Sequence, residues 1–332
     1  MKKIIVSLFA VVLAVTLTAC GTNKQNTEQK KDLKKVDFVL DWAINTNHTG
    51  LFVAKEKGYF AEAGIDFDIK PAPEDSTSDL IINNKAPFGI YYQDTMANKL
   101  SKGAGITAVA AIIEHNTSGV ISLKKSNIKE PKDLVGKKYG TWNDPVELAM
   151  IKSLVEKQGG DFSKIKLTPN TDTNSVTPME NGAFDAAWIY YAWDGKLAES
   201  MNLDINYFYL KDFAKELDYY SPVIIANNDY LKENKEEAKK VIQAIKKGYV
   251  YAMEHPEEAA DILIKNAPEL KEKRDFIINS QKYLSERYAT DKNKWGEFDA
   301  ERWNAFYRWV NKNNIVEKPL ADNTGFTNDF VK

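Results

Sequence analysis

The densest set of recognition chemistry in this chain is the run Leu40-Asp41-Trp42-Ala43-Ile44-Asn45-Thr46-Asn47-His48-Thr49-Gly50, which leads on to Lys57-Gly58-Tyr59-Phe60. Trp42 offers a flat face, and Asn45 and His48 offer directional hydrogen bonds. The run lies where a strand-like stretch (36–40) gives way to a helical pattern, and free backbone N–H groups gather at such a junction. Two readings stand. In one, Trp42 is a stacking platform and the polar residues bond a ligand. In the other, Trp42 is core and Asn45, Thr46 and Asn47 only cap the helix.

Aromatic residues recur at other strand ends. Tyr91 closes a strand-like run, and Tyr92 beside it should point the opposite way. Trp142 and Asn143 precede a well-capped helix and mirror Trp42 and Asn45. Trp188 and Tyr190 share one face of an apolar run, so either they or Ile189 and Tyr191 face the core. Trp193 follows, then Asp194, an acid that by position lies in a solvated loop or caps a helix. Glu114 ends another apolar run near an expected change of lobe and is a weaker candidate. Single aromatics of this kind are ordinarily core, but so many at strand ends together point to a flat ligand.

These positions need elements to hold them. Helical spacing at 46–57 stops at Gly58, where a helix terminator is expected. Residues 65–69 alternate as a strand, 79–84 read as a helix, 87–91 as a strand, and 106–113 as a buried strand. A second α/β region starts near Ser118, with a strand end at 138–141. Asp144 caps the next helix, Pro145 takes its first position, and Glu147 has capping-box spacing. Strands are expected at 184–190 and 221–226. Beyond Asp229 the pattern is helical, with Ala238, Val241, Ile242, Ile245, Tyr249 and Ala252 on one stripe. The last helix carries Trp303, Phe306, Tyr307 and Val310. The expected fold class is therefore α/β in two lobes, with parallel-rich sheets flanked by helices and a ligand cleft between them.

Composition narrows the function. The 332 residues hold 45 Lys+Arg against 47 Asp+Glu, a formal charge of -2, so no nucleic-acid footprint is expected. One cysteine and three histidines exclude an internal disulfide and make a metal site improbable, and no cofactor is expected. No Gly-rich phosphate loop, nucleophile elbow or paired metal motif is present. Lys2 and Lys3 followed by an apolar run have the layout of a signal peptide (1–19). Leu17-Thr18-Ala19-Cys20 resembles a bacterial lipobox, which implies cleavage before Cys20 and lipidation of its thiol. Residues 20–35 read as a polar tether.

The Leu40–Gly50 run and its Lys-Gly-Tyr-Phe sequel resemble the signature of the bacterial solute-binding proteins for thiamin pyrimidines, SsuA/THI5-like proteins related to fungal pyrimidine-precursor synthases. Leu40, Asp41, Trp42, Asn45, His48, Thr49, Gly50, Ala54, Lys57, Gly58, Tyr59 and Phe60 match, while Ile44 stands where the family usually has proline. The likeness continues through IKEPKDLVGKKYG, DPVELAM, GAFDAAWIYYAWDG and YYSPVIIANN. It implies a periplasmic-binding-protein fold of type II. One lobe would span 36–115 plus 227–332 and the other 120–220, with crossings near 116–119 and 221–226.

The resemblance also implies a pyrimidine ligand, such as a formylated aminomethylpyrimidine, with Asp194 matching the family's acidic residue after its Tyr-x-Trp run, where an amine could be received. It implies an ABC permease with its ATPase as partner, a monomer, and a site outside the cytoplasmic membrane held by lipid on Cys20. Other ligands stay open, thiamin or another heterocycle among them. Sulfonates fit less well, because the aromatic and acidic segments carry only Lys196 nearby. The fungal synthases consume a histidine matching His48 and use pyridoxal phosphate and iron with a cysteine cluster. This chain lacks that cluster, so an enzyme is not expected.

Overall fold

The computed structural model of the protein describes residues 33–332, except 74, 75, 171 and 173. The expected signal peptide, Cys20 and most of the expected tether lie outside the described residues. Where the tether was expected to reach residue 35, the chain is already a strand at Lys34, because Lys34 and Lys35 pair with Ile65 and Asp66.

The first sheet is laid down by β1 (Lys34–Val39), a 3-10 turn (Thr46–His48) running into α1 (Thr49–Glu56), α2 (Tyr59–Glu62), β2 (Ile65–Lys70), α3 (Thr77–Ile82), β3 (Phe88–Tyr91), α4 (Gln93–Ser101) and β4 (Ile106–Ala111). The chain then enters a second sheet through β5 (Ser118–Leu123), β6 (Lys138–Thr141), α5 (Pro145–Lys157), β7 (Lys166–Pro169), α6 (Val176–Glu180) and β8 (Ala186–Tyr190). A π-helical turn (Tyr191–Gly195), α7 (Lys196–Ser200) and β9 (Ile205–Tyr209) complete that lobe. The return strand β10 (Val223–Asn227) rejoins the first sheet. Five helices close the chain: α8 (Asn228–Glu233), α9 (Lys235–Glu254), α10 (Pro256–Asn266), α11 (Arg274–Ser285) and α12 (Ala300–Lys312).

The two sheets share one plan. Their orders are β2-β1-β3-β10-β4 and β7-β6-β8-β5-β9. In each, the strand that has just crossed from the other lobe is inserted next to the edge and runs antiparallel to both neighbours. The sheets are parallel-rich as expected, four strands of each running one way, and mixed through that one inserted strand. A strand arriving from the opposite lobe enters from the cleft side, so it must run against strands that end there. Those C-terminal ends are where an open α/β sheet leaves space for a ligand.

Local signals explain the elements. Asp144 accepts from the backbone N–H groups of Val146 and Glu147, and Pro145 occupies the first turn of α5. The α9 stripe, Ala238 to Ala252, is buried against α1 and α10. Here Gly50 and Gly248 permit contact between backbones, since a Cβ on Gly248 would lie 2.0 Å from the Gly50 carbonyl oxygen. Asp299 caps α12, whose Trp303, Phe306, Tyr307 and Val310 enter a core shared with Tyr219, Tyr220 and Val146. That core joins both lobes through the crossings. Among the described residues, no helix is long and apolar enough to cross a membrane.

Candidate functional site

The junction after β1 is built around His48. Its Nδ1 accepts the backbone N–H of Asn45 at 3.2 Å, which leaves Nε2 as the donor to Asp41 Oδ1 at 2.7 Å. The other oxygen of Asp41 accepts from the Tyr92 hydroxyl, at the end of β3. Burial works against the charged form of Asp41. The hydrogen bonds from His48 and Tyr92 outweigh it and hold the carboxyl below its usual range. Asn45 accepts from Asn47 N–H at 2.9 Å and donates to Ala43 O at 2.9 Å. His48 is fully buried and Asn45 nearly so, and both spend their polar atoms on the loop. This departs from the expectation that they contact a ligand directly.

What the loop presents is Trp42, 53 % exposed. In the second lobe Trp142, just past β6, is 47 % exposed. Asn143 follows with φ 61°, the left-handed region that asparagine tolerates, and its N–H donates to Thr141 Oγ1 at 2.8 Å. Asn143 therefore turns the chain into α5 and leaves Trp142 projecting. Glu147 makes no capping box. It is buried beneath this turn and accepts from the Tyr139 and Thr141 hydroxyls and the Trp142 N–H, and burial pushes its pKa up.

Behind Trp142 the aromatic residues form a bank. Trp188 lies 5.5 Å from the Trp142 ring and 5.7 Å from Tyr190, and is itself buried. Ile189 enters the core on the other face of β8, so both faces of that strand are covered. The Tyr190 hydroxyl shares a 2.9 Å hydrogen bond with Ser221 in the return crossing, which brings the end of β8 against the floor between the lobes. Tyr91 is half-buried and packs into the shared core beside Tyr92. Trp193 packs edge-on against Phe276 of α11, away from this bank. Glu114 accepts the Thr290 N–H and is not brought to the site.

The site is acidic. Asp194, half-buried in the π-helical turn, accepts Ser175 N–H at 3.2 Å, and burial raises its pKa to about 6. Asp94, which the strand-end logic should also have flagged three residues past Tyr91, is 4 % exposed. It accepts from Thr95 N–H at 2.8 Å and the Tyr219 hydroxyl at 3.2 Å. Burial first, then the charge of Asp144, outweigh those bonds and raise it to about 6. Among the described residues, none of Asp41, Asp94, Glu147 and Asp194 has a Lys or Arg partner. A buried carboxylate without a cation is poised to gain from an N–H donor or a positive guest. No group of metal-ligating side chains is found among the described residues.

The family model described as NMT1/THI5 like matches residues 45–259. The chain belongs to that family. It is 28% identical to the formylaminopyrimidine-binding protein of Halalkalibacterium halodurans over 98% of each chain. It is 27% identical to the 4-amino-5-hydroxymethyl-2-methylpyrimidine phosphate synthase THI5 of Saccharomyces cerevisiae, over 71% of this chain and 72% of the other. In structure it resembles the periplasmic sulfonate-binding protein SsuA of Methylobacillus flagellatus, with a TM-score of 0.64 at 17% identity over 90% of this chain and 93% of that one. The last likeness establishes the two-lobed periplasmic-binding-protein fold. End-to-end alignment with a binding protein, against partial alignment with the synthases, makes this chain a binding protein and not an enzyme.

Proposed function

We propose that the chain is the ligand-capturing component of an ABC importer and takes a thiamin pyrimidine precursor, of the formylaminopyrimidine class, into the cleft between its lobes. The observation that carries this reading is the pair Trp42 and Trp142. They project half-exposed from equivalent strand ends of two sheets, among carboxylates that lack basic partners. A flat ring stacked on such faces gains ~0.5–1.5 kcal/mol beyond its burial. An exocyclic amine suits the acidic surroundings, whereas a sulfonate would meet like charge.

Capture is by lobe closure. The ligand binds one lobe, contacts from the other favour the closed form, and the permease reads that form. The shift cannot exceed the ligand's differential affinity for the two states. Cleavage before Cys20 and lipidation there would hold the domain on the outer face of the cytoplasmic membrane, acting as a monomer beside its permease and ATPase. In this reading Trp42, Trp142, Trp188 and Tyr190 form the aromatic surface, Asp194 receives an amine, and His48 and Asn45 hold Trp42 in place.

Native mass spectrometry of the purified protein, with calorimetric titration of formylaminopyrimidine, thiamin and an alkanesulfonate, tests the reading. Tightest binding to formylaminopyrimidine supports it. Preference for the sulfonate overturns it.

A further inference from the structure

The end of β7 holds a polar recess that stacking alone leaves unexplained. Asn170 follows β7 directly, and its backbone N–H donates to Thr141 O at 2.8 Å, tying it to the end of β6. Its Nδ2 donates to Ser175 Oγ at 2.9 Å. Ser175, 1% exposed, passes the connection on through its N–H to Asp194 Oδ1 at 3.2 Å. Three successive strand ends of the second lobe are thereby sewn together at the side where an open sheet receives its ligand.

The recess has more acceptors than donors. Asn170 is 5% exposed, yet among the described residues its Oδ1 has no hydrogen-bond partner. Asp194 takes that one N–H and, among the described residues, pairs with no Lys or Arg, Lys196 being engaged by Glu199. Buried acceptors are rarely left unpaired, and an orphan in a native fold asks for something that pairs it. Asp194 is half-buried, so part of it remains open to solvent.

We propose that Asn170, Ser175 and Asp194 form an acceptor subsite for the N–H edge of the ligand, its exocyclic amine, with Asn170 a specificity-determining residue. The inference rests on the heterocycle reading above and adds which edge of the ring the second lobe reads. Asn170 Oδ1 and a carboxylate oxygen of Asp194 take the two amine hydrogens. Ser175 fixes both acceptors from behind. A ligand edge made only of acceptors meets like against like here. One with a methyl group in place of the amine leaves both oxygens unpaired, which is the kind of mismatch a polar site rejects strongly.

The test is calorimetric titration of wild type, Asn170→Ala and Asp194→Asn with formylaminopyrimidine and with its analogue bearing methyl in place of the exocyclic amine. Wild type should prefer the amine by about tenfold or more. Each variant should lose about tenfold toward the amine and little toward the methyl analogue, so that discrimination collapses. Asp194→Asn keeps an oxygen for the Ser175 N–H, so it probes the subsite even where Asn170→Ala loosens the recess. Equal losses for both ligands, or none for either, overturn the subsite while leaving the heterocycle reading intact. Wild type that binds neither compound overturns the heterocycle reading, and the subsite with it.

Discussion

His48 and Asp41 are joined by a buried 2.7 Å hydrogen bond that closes a loop with Trp42 on its outer edge. Asp41 is anchored a second time by Tyr92, just past β3, and His48 a second time by the Asn45 backbone. The loop is thus pinned at both ends by side chains almost closed to solvent, 0% exposed at His48 and 4% at Asp41, and the ring between them is held by the fold itself. Holding a platform in place lowers the ordering cost of binding.

His48→Asn should weaken ligand binding through Trp42 and not through a lost contact. The double variant with Trp42→Ala should then bind no worse than Trp42→Ala alone. A double-mutant cycle by titration reads this coupling. Additive losses would mean that His48 acts independently of the tryptophan.

Trp42→Ala and Trp142→Ala should each cost over about 1 kcal/mol of affinity, with the melting temperature little changed. Both rings are about half-exposed, so their removal opens no core cavity. Titration alongside thermal melts checks the pair. Unchanged affinity in either variant would remove that ring from the site.

Asp94 gives the stability a pH signature. Its folded pKa, about 6, stands above the ordinary carboxyl value of 3.8. Its contribution is therefore fully present below about pH 4 and is lost as pH rises through about 6. Asp94→Asn removes the penalty, in order of magnitude about 2–3 kcal/mol, so the variant should gain on wild type between pH 4 and pH 8. Denaturant melts of both proteins at several pH values show whether the gap widens with pH as required.

Gly248→Ala should destabilise the protein by about 1–3 kcal/mol, the usual cost of overpacking. The added Cβ would meet the Gly50 carbonyl at 2.0 Å and push α1 from α9. Because α1 continues the turn that holds His48, ligand affinity should fall too. Urea unfolding followed by titration at a permissive temperature measures both effects.

Much of the architecture was legible because its signals are local. Asp144 and Pro145 announce α5, and the stripe from Ala238 to Ala252 announces α9. Two edge strands, β7 and β9, escaped. Lys166-Leu167-Thr168-Pro169 has little apolar character, and Ile205 to Tyr209 is nearly all aromatic or apolar with no alternation. The same limit hid Asn170, which matters only through Ser175 and Asp194, neighbours 5 and 19 residues apart in pairs.

Residue order alone determined most of the helices and the inner strands, which family signature the chain carries, and that its flat and acidic residues cluster at strand ends. Those properties follow from periodicity, capping and composition, each read within a few residues. Only the folded chain decided which of those side chains are buried and which stay exposed. It turned His48 and Asn45 inward and Trp42 and Trp142 outward, sent Glu114 to Thr290, and set the two crossing strands antiparallel. The direction of a side chain depends on which distant strand or helix covers it, and no local pattern encodes that partner.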